Sequence, residues 1–250
     1  MSVTSVSPVI TRRPSIPATL RRVLSVTASI LLLAASTFLA NRVLPGWAYP
    51  VTGVVTAAGL VGLARYAGVS WAAMGLDRRY LGRAALVGLI GVALVGLVFG
   101  LAVAIPALRT VFHDGRIGSP GIGQLMWLAL VRIPLGTVLL EEVAFRGVLP
   151  ALLGGGQRWR WGPVLGAAGL FGLWHLLPSL ALDHNAAVHA TFGGLPTAVI
   201  SLLAMLAAAG AGVVLYWWRH TGRGVLSSAL VHFATNSGGL VLAWLLIAGR

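Results

Sequence analysis

Residues 140–146 read Leu140-Glu141-Glu142-Val143-Ala144-Phe145-Arg146, and they hold the chain's only two glutamates, side by side in apolar sequence. A single Asp, Lys or Arg at the middle of a membrane helix costs about 2.5–3.5 kcal/mol on insertion scales, so buried charges of this kind need a reason. The surrounding composition decides where the stretch lies. Of 250 residues, 58% are apolar and 9% charged, with a mean hydropathy of +0.91. A soluble domain carries about 25% charged residues. A chain this poor in charge cannot clothe a soluble globule and belongs in a bilayer.

Working outward from the glutamates, seven stretches approach the roughly 20 helical residues that a hydrocarbon core of about 30 Å requires. They are 23–40, 47–64, 84–105, 124–153, 161–180, 195–218 and 224–247. The expected architecture is all-α, a polytopic bundle of about seven transmembrane helices. The fourth stretch contains Arg132, Pro134, both glutamates, Arg146 and Pro150, so it is expected to be the least regular. The first is too long for a signal-peptide core and lacks an A-x-A site, which makes it a retained helix. Ahead of it, 1–22 is rich in Ser, Thr, Pro and Arg and reads as a disordered basic tail. The chain then divides into 23–123, with the first three helices, and 124–250, with the last four.

All 18 basic residues are arginines, and the net charge is +13. They stand singly or in pairs between apolar runs, the pattern of membrane loops, and this excludes nucleic acid as the partner. With the N-terminus inside, twelve arginines fall in cytoplasmic segments and four outside, while Arg132 and Arg146 lie within spans. A reporter fused after Arg250 would then face outward. The absence of cysteine excludes disulfides, thiolate ligands and a catalytic thiol. Gly96-x-x-x-Gly100 and Gly162-x-x-x-Gly166 are spacings that let helices approach closely.

Neighbouring helical residues point about 100° apart, so one partner cannot satisfy both glutamates. Glu142 precedes Arg146 by four residues, the favourable order for a helical ion pair, which leaves Glu141 free. Two other spans carry a deep histidine, in Phe171-Gly172-Leu173-Trp174-His175 and in His232-Phe233-Ala234-Thr235-Asn236. At 1.5 Å per residue, Glu141, His175 and His232 lie about 18, 21 and 12 Å from the arginine-rich ends of their helices, close enough in depth to share a site. Arg132 is expected to snorkel or mark a helix break. His113, His184, His189 and His220 are expected at solvated surfaces. Ser227 and Ser228 precede His232 by about a turn, but no Asp accompanies them in the helices, which disfavours a serine mechanism.

The ordered set Glu141-Glu142…Arg146, Phe171…His175 and His232…Asn236 resembles the type II CAAX prenyl endopeptidase and bacteriocin-processing (CPBP, or Abi) family of intramembrane proteases, marked by E-E-x-x-x-R, F-x-x-x-H and H-x-x-x-N. The resemblance covers residues 124–247. It implies hydrolysis of a peptide bond in a membrane-associated protein or peptide, with Glu141 activating water and His175 holding it. By the same resemblance His232 and Asn236 stabilise the oxyanion, while Glu142 and Arg146 support the site. Amide hydrolysis does require a base for water and donors for the oxyanion. Zinc is the alternative account, with Glu141, His175 and His232 as three ligands and one open position. The metal-free account is preferred, because H-E-x-x-H is absent and Glu142, which would then have to be the base, is spaced to pair with Arg146. Two other functions stay open: a bacteriocin-immunity or partner-binding scaffold on the same fold, and a transporter that moves protons on Glu141. The expected location is a cell membrane, and the composition suggests a bacterial source.

Overall fold

A computed structural model of the chain describes residues 16–112, 120–180, 182 and 186–248. Among them there is no strand. In a bilayer, backbone groups find partners only within a helix or a closed barrel, and uninterrupted apolar runs choose the helix. α1 is Ala18–Phe38, continued by a π turn, Leu39–Val43. α2 is Tyr49–Tyr66, α3 the short Trp71–Met74, and α4 Leu81–Ala104. α5 is a compound run over 122–152, α6 is Trp161–Trp174, and α7 is Leu176–Ser179. α8 is Ala186–Phe192, α9 Thr197–Gly222, and α10 Val225–Ala248. Residues 1–15 of the expected tail lie outside the described residues, as do His113 and His184; 18–22 already belong to α1.

Among the described residues, five helices are long and apolar enough to cross a membrane: Ala18–Val43, Gly46–Tyr66, Arg78–Ala104, Thr197–Gly222 and Val225–Leu246. Their apolar side chains point outward. Arg78–Ala104 has the highest hydropathy of the five, yet Leu86, Leu97 and Val98 are about 60% exposed. That is the reverse of a soluble fold, and a lipid surround accounts for it. The two remaining expected spans differ from simple helices. α5 alternates between α and π winding, with π segments Leu128–Val138 and Val143–Val148. Pro134 lies in the first, where its missing N–H cannot continue the α ladder. The expected span 161–180 breaks at His175 (φ −84°, ψ 3°), because Pro178 has no N–H for the carbonyl of Trp174. α6, with 14 residues, rises only about 21 Å, so His175 is delivered to mid-depth.

α5 is the centre of the bundle, and every residue of 140–152 is buried. α2 and α10 pack against it, α4 lies along α10, and α6 along α9. The closest backbone approaches fall at glycines outside the two G-x-x-x-G spacings, of whose four glycines Gly166 alone has a near neighbour, Leu153 Cδ1 at 3.2 Å from an added Cβ. Around Gly96, Gly100 and Gly162 nothing stands within 4 Å of an added Cβ, so these positions face open space. A Cβ on Gly53 would meet the Leu135 carbonyl at 2.5 Å, and one on Gly172 the Met205 carbonyl at 2.6 Å. Because that obstacle is backbone, Gly172→Ala must push α6 off α9, three residues from His175. We expect it to destabilise the protein by about 1–3 kcal/mol in thermal unfolding in detergent. Gly162→Ala should leave the midpoint at or above wild type.

The loops richest in arginine gather in one layer at the ends of the helices. The Arg219 guanidinium donates to the carbonyls of Gly156 and Ala73, both at 2.6 Å, and Gln157 donates to the Ala72 carbonyl. Val225 N–H donates to the Gly75 carbonyl, and Arg83 to that of Thr221. Arg219 is therefore a buried staple, 1% exposed, rather than a solvated loop charge. His220 departs from expectation too: it is half-buried, with its ring against Trp159, 5.5 Å between centroids. Asp77 accepts from Arg79 through side chain and backbone, and these bonds hold its carboxyl below the usual range.

Candidate active site

Glu141 and Glu142 occupy one α turn, Leu139–Glu142, between the two π segments of α5. They point to different neighbours, as adjacent helical positions must. Glu142 is 0% exposed and Glu141 4%. Oε1 of Glu142 lies 3.3 Å from Nη1 of Arg146, the ion pair expected from the spacing, and 2.8 Å from Nδ1 of His232. The Arg146 guanidinium is completely buried and makes no hydrogen bond with any described residue. It is held instead by charge and by the face of Phe171, 4.0 Å below its Cζ.

Phe171 is the slab at the middle of the cluster. Its ring meets Phe145 at 5.1 Å, His175 at 4.5 Å and His232 at 6.5 Å between centroids. His175 Nδ1 stands 2.8 Å from the Phe171 carbonyl oxygen. A carbonyl only accepts, so Nδ1 carries the proton and Nε2 of the neutral ring keeps a free lone pair. The same reasoning fixes His232, whose Nδ1–H donates to the Glu142 carboxylate. Its Nε2 then accepts from the Asn236 carboxamide at 3.1 Å. Asn236 is exposed and keeps a second amide hydrogen.

Glu141 is held by a different donor from its neighbour, and like Glu142 it keeps a buried Oε2 without a described hydrogen bond. Oε1 accepts the indole N–H of Trp174 at 2.9 Å, whereas the buried Oε2 accepts no hydrogen bond from any described residue and lies 3.8 Å from Nε2 of His232. Glu141, Glu142, Arg146, Phe171, His232 and Asn236 thus form one connected group. His175 joins it through Phe171 and makes no described bond to Glu141. Trp174 was missed in the sequence, although an indole N–H in an apolar helix needs a partner and stands beside the motif histidine. The link from Glu142 to His232 was missed as well, since it joins positions 90 residues apart.

Other polar residues are occupied elsewhere. Ser227 donates to the carbonyls of Trp218 and Gly224, and Ser228 to that of Val225. Arg132 lies in the irregular π segment with Pro134, its guanidinium 4.3 Å above the Tyr49 ring in a cation–π contact. Nδ1 of His175 and of His232 is committed to an oxygen acceptor, so Nε2 is the nitrogen that either ring would offer a metal, and among the described residues no three His, Cys, Asp or Glu are grouped to hold one.

The family model described as Rce1-like, type II CAAX prenyl endopeptidase, matches residues 123–238. That segment is an Rce1-like domain of the CPBP protease family, and it contains all seven residues singled out from the three motifs. No curated protein and no solved structure matches the chain.

Proposed function

We propose that the protein is an intramembrane endopeptidase that hydrolyses a peptide bond of a membrane-associated protein or peptide, with Glu141 as the base for water. The observation that carries this reading is that Arg146 pairs with Glu142 and not with Glu141, whose Oε1 is held by Trp174 and whose buried Oε2 accepts no hydrogen bond from any described residue and lies 3.8 Å from His232. A water at Oε2 gives it one proton, and the acceptor assigned to its second O–H is Nε2 of His175, whose Nδ1 is already committed to the Phe171 carbonyl. The water oxygen attacks the scissile carbonyl carbon, and the carbonyl oxygen becomes the oxyanion. Asn236 donates its free amide hydrogen to that oxyanion. The proton on Glu141 then passes to the leaving nitrogen as the C–N bond breaks. His232 acts as a donor only when protonated at Nε2, so in its neutral state it orients Asn236 through the bond at 3.1 Å. Glu142 and Arg146 fix His232 and do not touch the reacting atoms.

No step in this scheme is routed through a metal. The proposed setting is a cell membrane, crossed seven times with the arginine-rich layer on the cytoplasmic side. Asn236→Ala removes the oxyanion donor without disturbing the Glu142–His232 bond. The expected result is a loss of roughly 10²–10³-fold in kcat for a membrane peptide cleaved in proteoliposomes, with KM little changed. An unaltered kcat would remove Asn236 from the mechanism.

A further inference from the structure

We infer that Trp174 is a positioning residue of this site: its indole N–H pins Oε1 of Glu141, so that Oε2 is the oxygen presented to water. The inference rests on the hydrolytic reading above. A carboxylate turns easily about its last torsion, which is broad and roughly two-fold. Glu141 has no other described hydrogen-bond donor, so the single bond at 2.9 Å selects which oxygen is spent on the protein and which is left for chemistry. His175 follows Trp174 in the chain, at the break that ends α6.

Burial alone does not explain the choice of partner. Trp244 satisfies its indole N–H on a backbone carbonyl, that of Pro120, at 2.9 Å. Trp174 instead donates to one of the two buried glutamates. Its ring leans on Phe145, 5.9 Å between centroids, and forms one wall of an apolar cleft of about 260 Å³ between α1 and α6, lined also by Ile30, Leu33, Leu149, Leu173 and Leu177. A smaller ring at 174 therefore enlarges an existing cleft rather than opening a sealed void.

Trp174→Phe and Trp174→Met both remove the N–H, so loss of fold in one leaves the other to be read. Trp174→His restores a ring N–H on a shorter side chain, and Leu173→Ala alters the cleft without touching the bond. In phosphatidylcholine proteoliposomes the infrared carboxylate band of Glu141 is assigned by subtracting the Glu141→Gln spectrum from that of the wild type. We expect the band to move in the Phe and Met variants and to stay in place in Leu173→Ala. The rate at which Glu141-dependent peptide termini form in membranes should fall about 10–100-fold in the Phe and Met variants, with partial recovery in Trp174→His. An unmoved band, or a wild-type rate without the N–H, overturns the role of Trp174. Termini that form equally in Glu141→Gln overturn the hydrolytic reading itself, a separate result from either of these.

Discussion

Glu141→Gln is expected to lower kcat by roughly 10²–10⁴-fold, the contribution of a well-placed general base, while the protein inserts and unfolds like the wild type. The substitution keeps the shape of the side chain, and its carboxamide oxygen can still accept the Trp174 N–H that holds Oε1 at 2.9 Å. What it loses is the capacity of the second position to take a proton from water. Oε2 has no described hydrogen bond to lose, so the fold has little reason to respond. The check is kcat in proteoliposomes beside the thermal midpoint in detergent. A large fall in kcat at an unchanged midpoint is the signature of a group used only in chemistry. Retained turnover would place the base elsewhere.

The largest effect on stability is expected at the neighbouring pair. Arg146 and Glu142 are both fully buried, 3.3 Å apart, and α5 is surrounded on all sides at this depth. Arg146→Met leaves the Glu142 carboxylate without its cation and should cost about 3–5 kcal/mol, since an uncompensated buried charge remains. The His232 bond at 2.8 Å does not replace a full positive charge. Combining it with Glu142→Gln removes both charges and should recover most of that stability, because a buried pair is worth little against neutral groups of similar size. A double-mutant cycle on thermal midpoints measures the coupling. Single variants as stable as the wild type would mean that solvent reaches the pair.

Much of the site was legible because charge is so costly in this chain. Two glutamates, an arginine and two deep histidines had to be accounted for, and an i,i+4 spacing predicted the Glu142–Arg146 contact that the structure has. The all-helical fold followed from the apolar runs in the same way. Spacing along one helix says nothing of contacts between helices, so the Glu142–His232 and Glu141–Trp174 bonds could not be read. Glycine patterns misled for a related reason. Gly96 and Gly100 have the spacing of a contact face, yet the tight approaches fall at Gly53 and Gly172, where the facing group is a neighbouring backbone carbonyl. The break at His175 was written in Pro178, but the apolar run continues through it and masks it. Arg219 was counted among loop charges because sequence does not reveal the free carbonyls of Ala73 and Gly156 that receive it.

The most direct test of the central claim compares newly formed peptide termini in membranes of cells making the wild-type protein with those of cells making Glu141→Gln at matched expression. Termini present only with the wild type are the predicted result; they would establish proteolysis, assign its base and name substrates together. Identical profiles, with membrane peptides well sampled, would contradict the account and return the protein to the class of binding scaffolds.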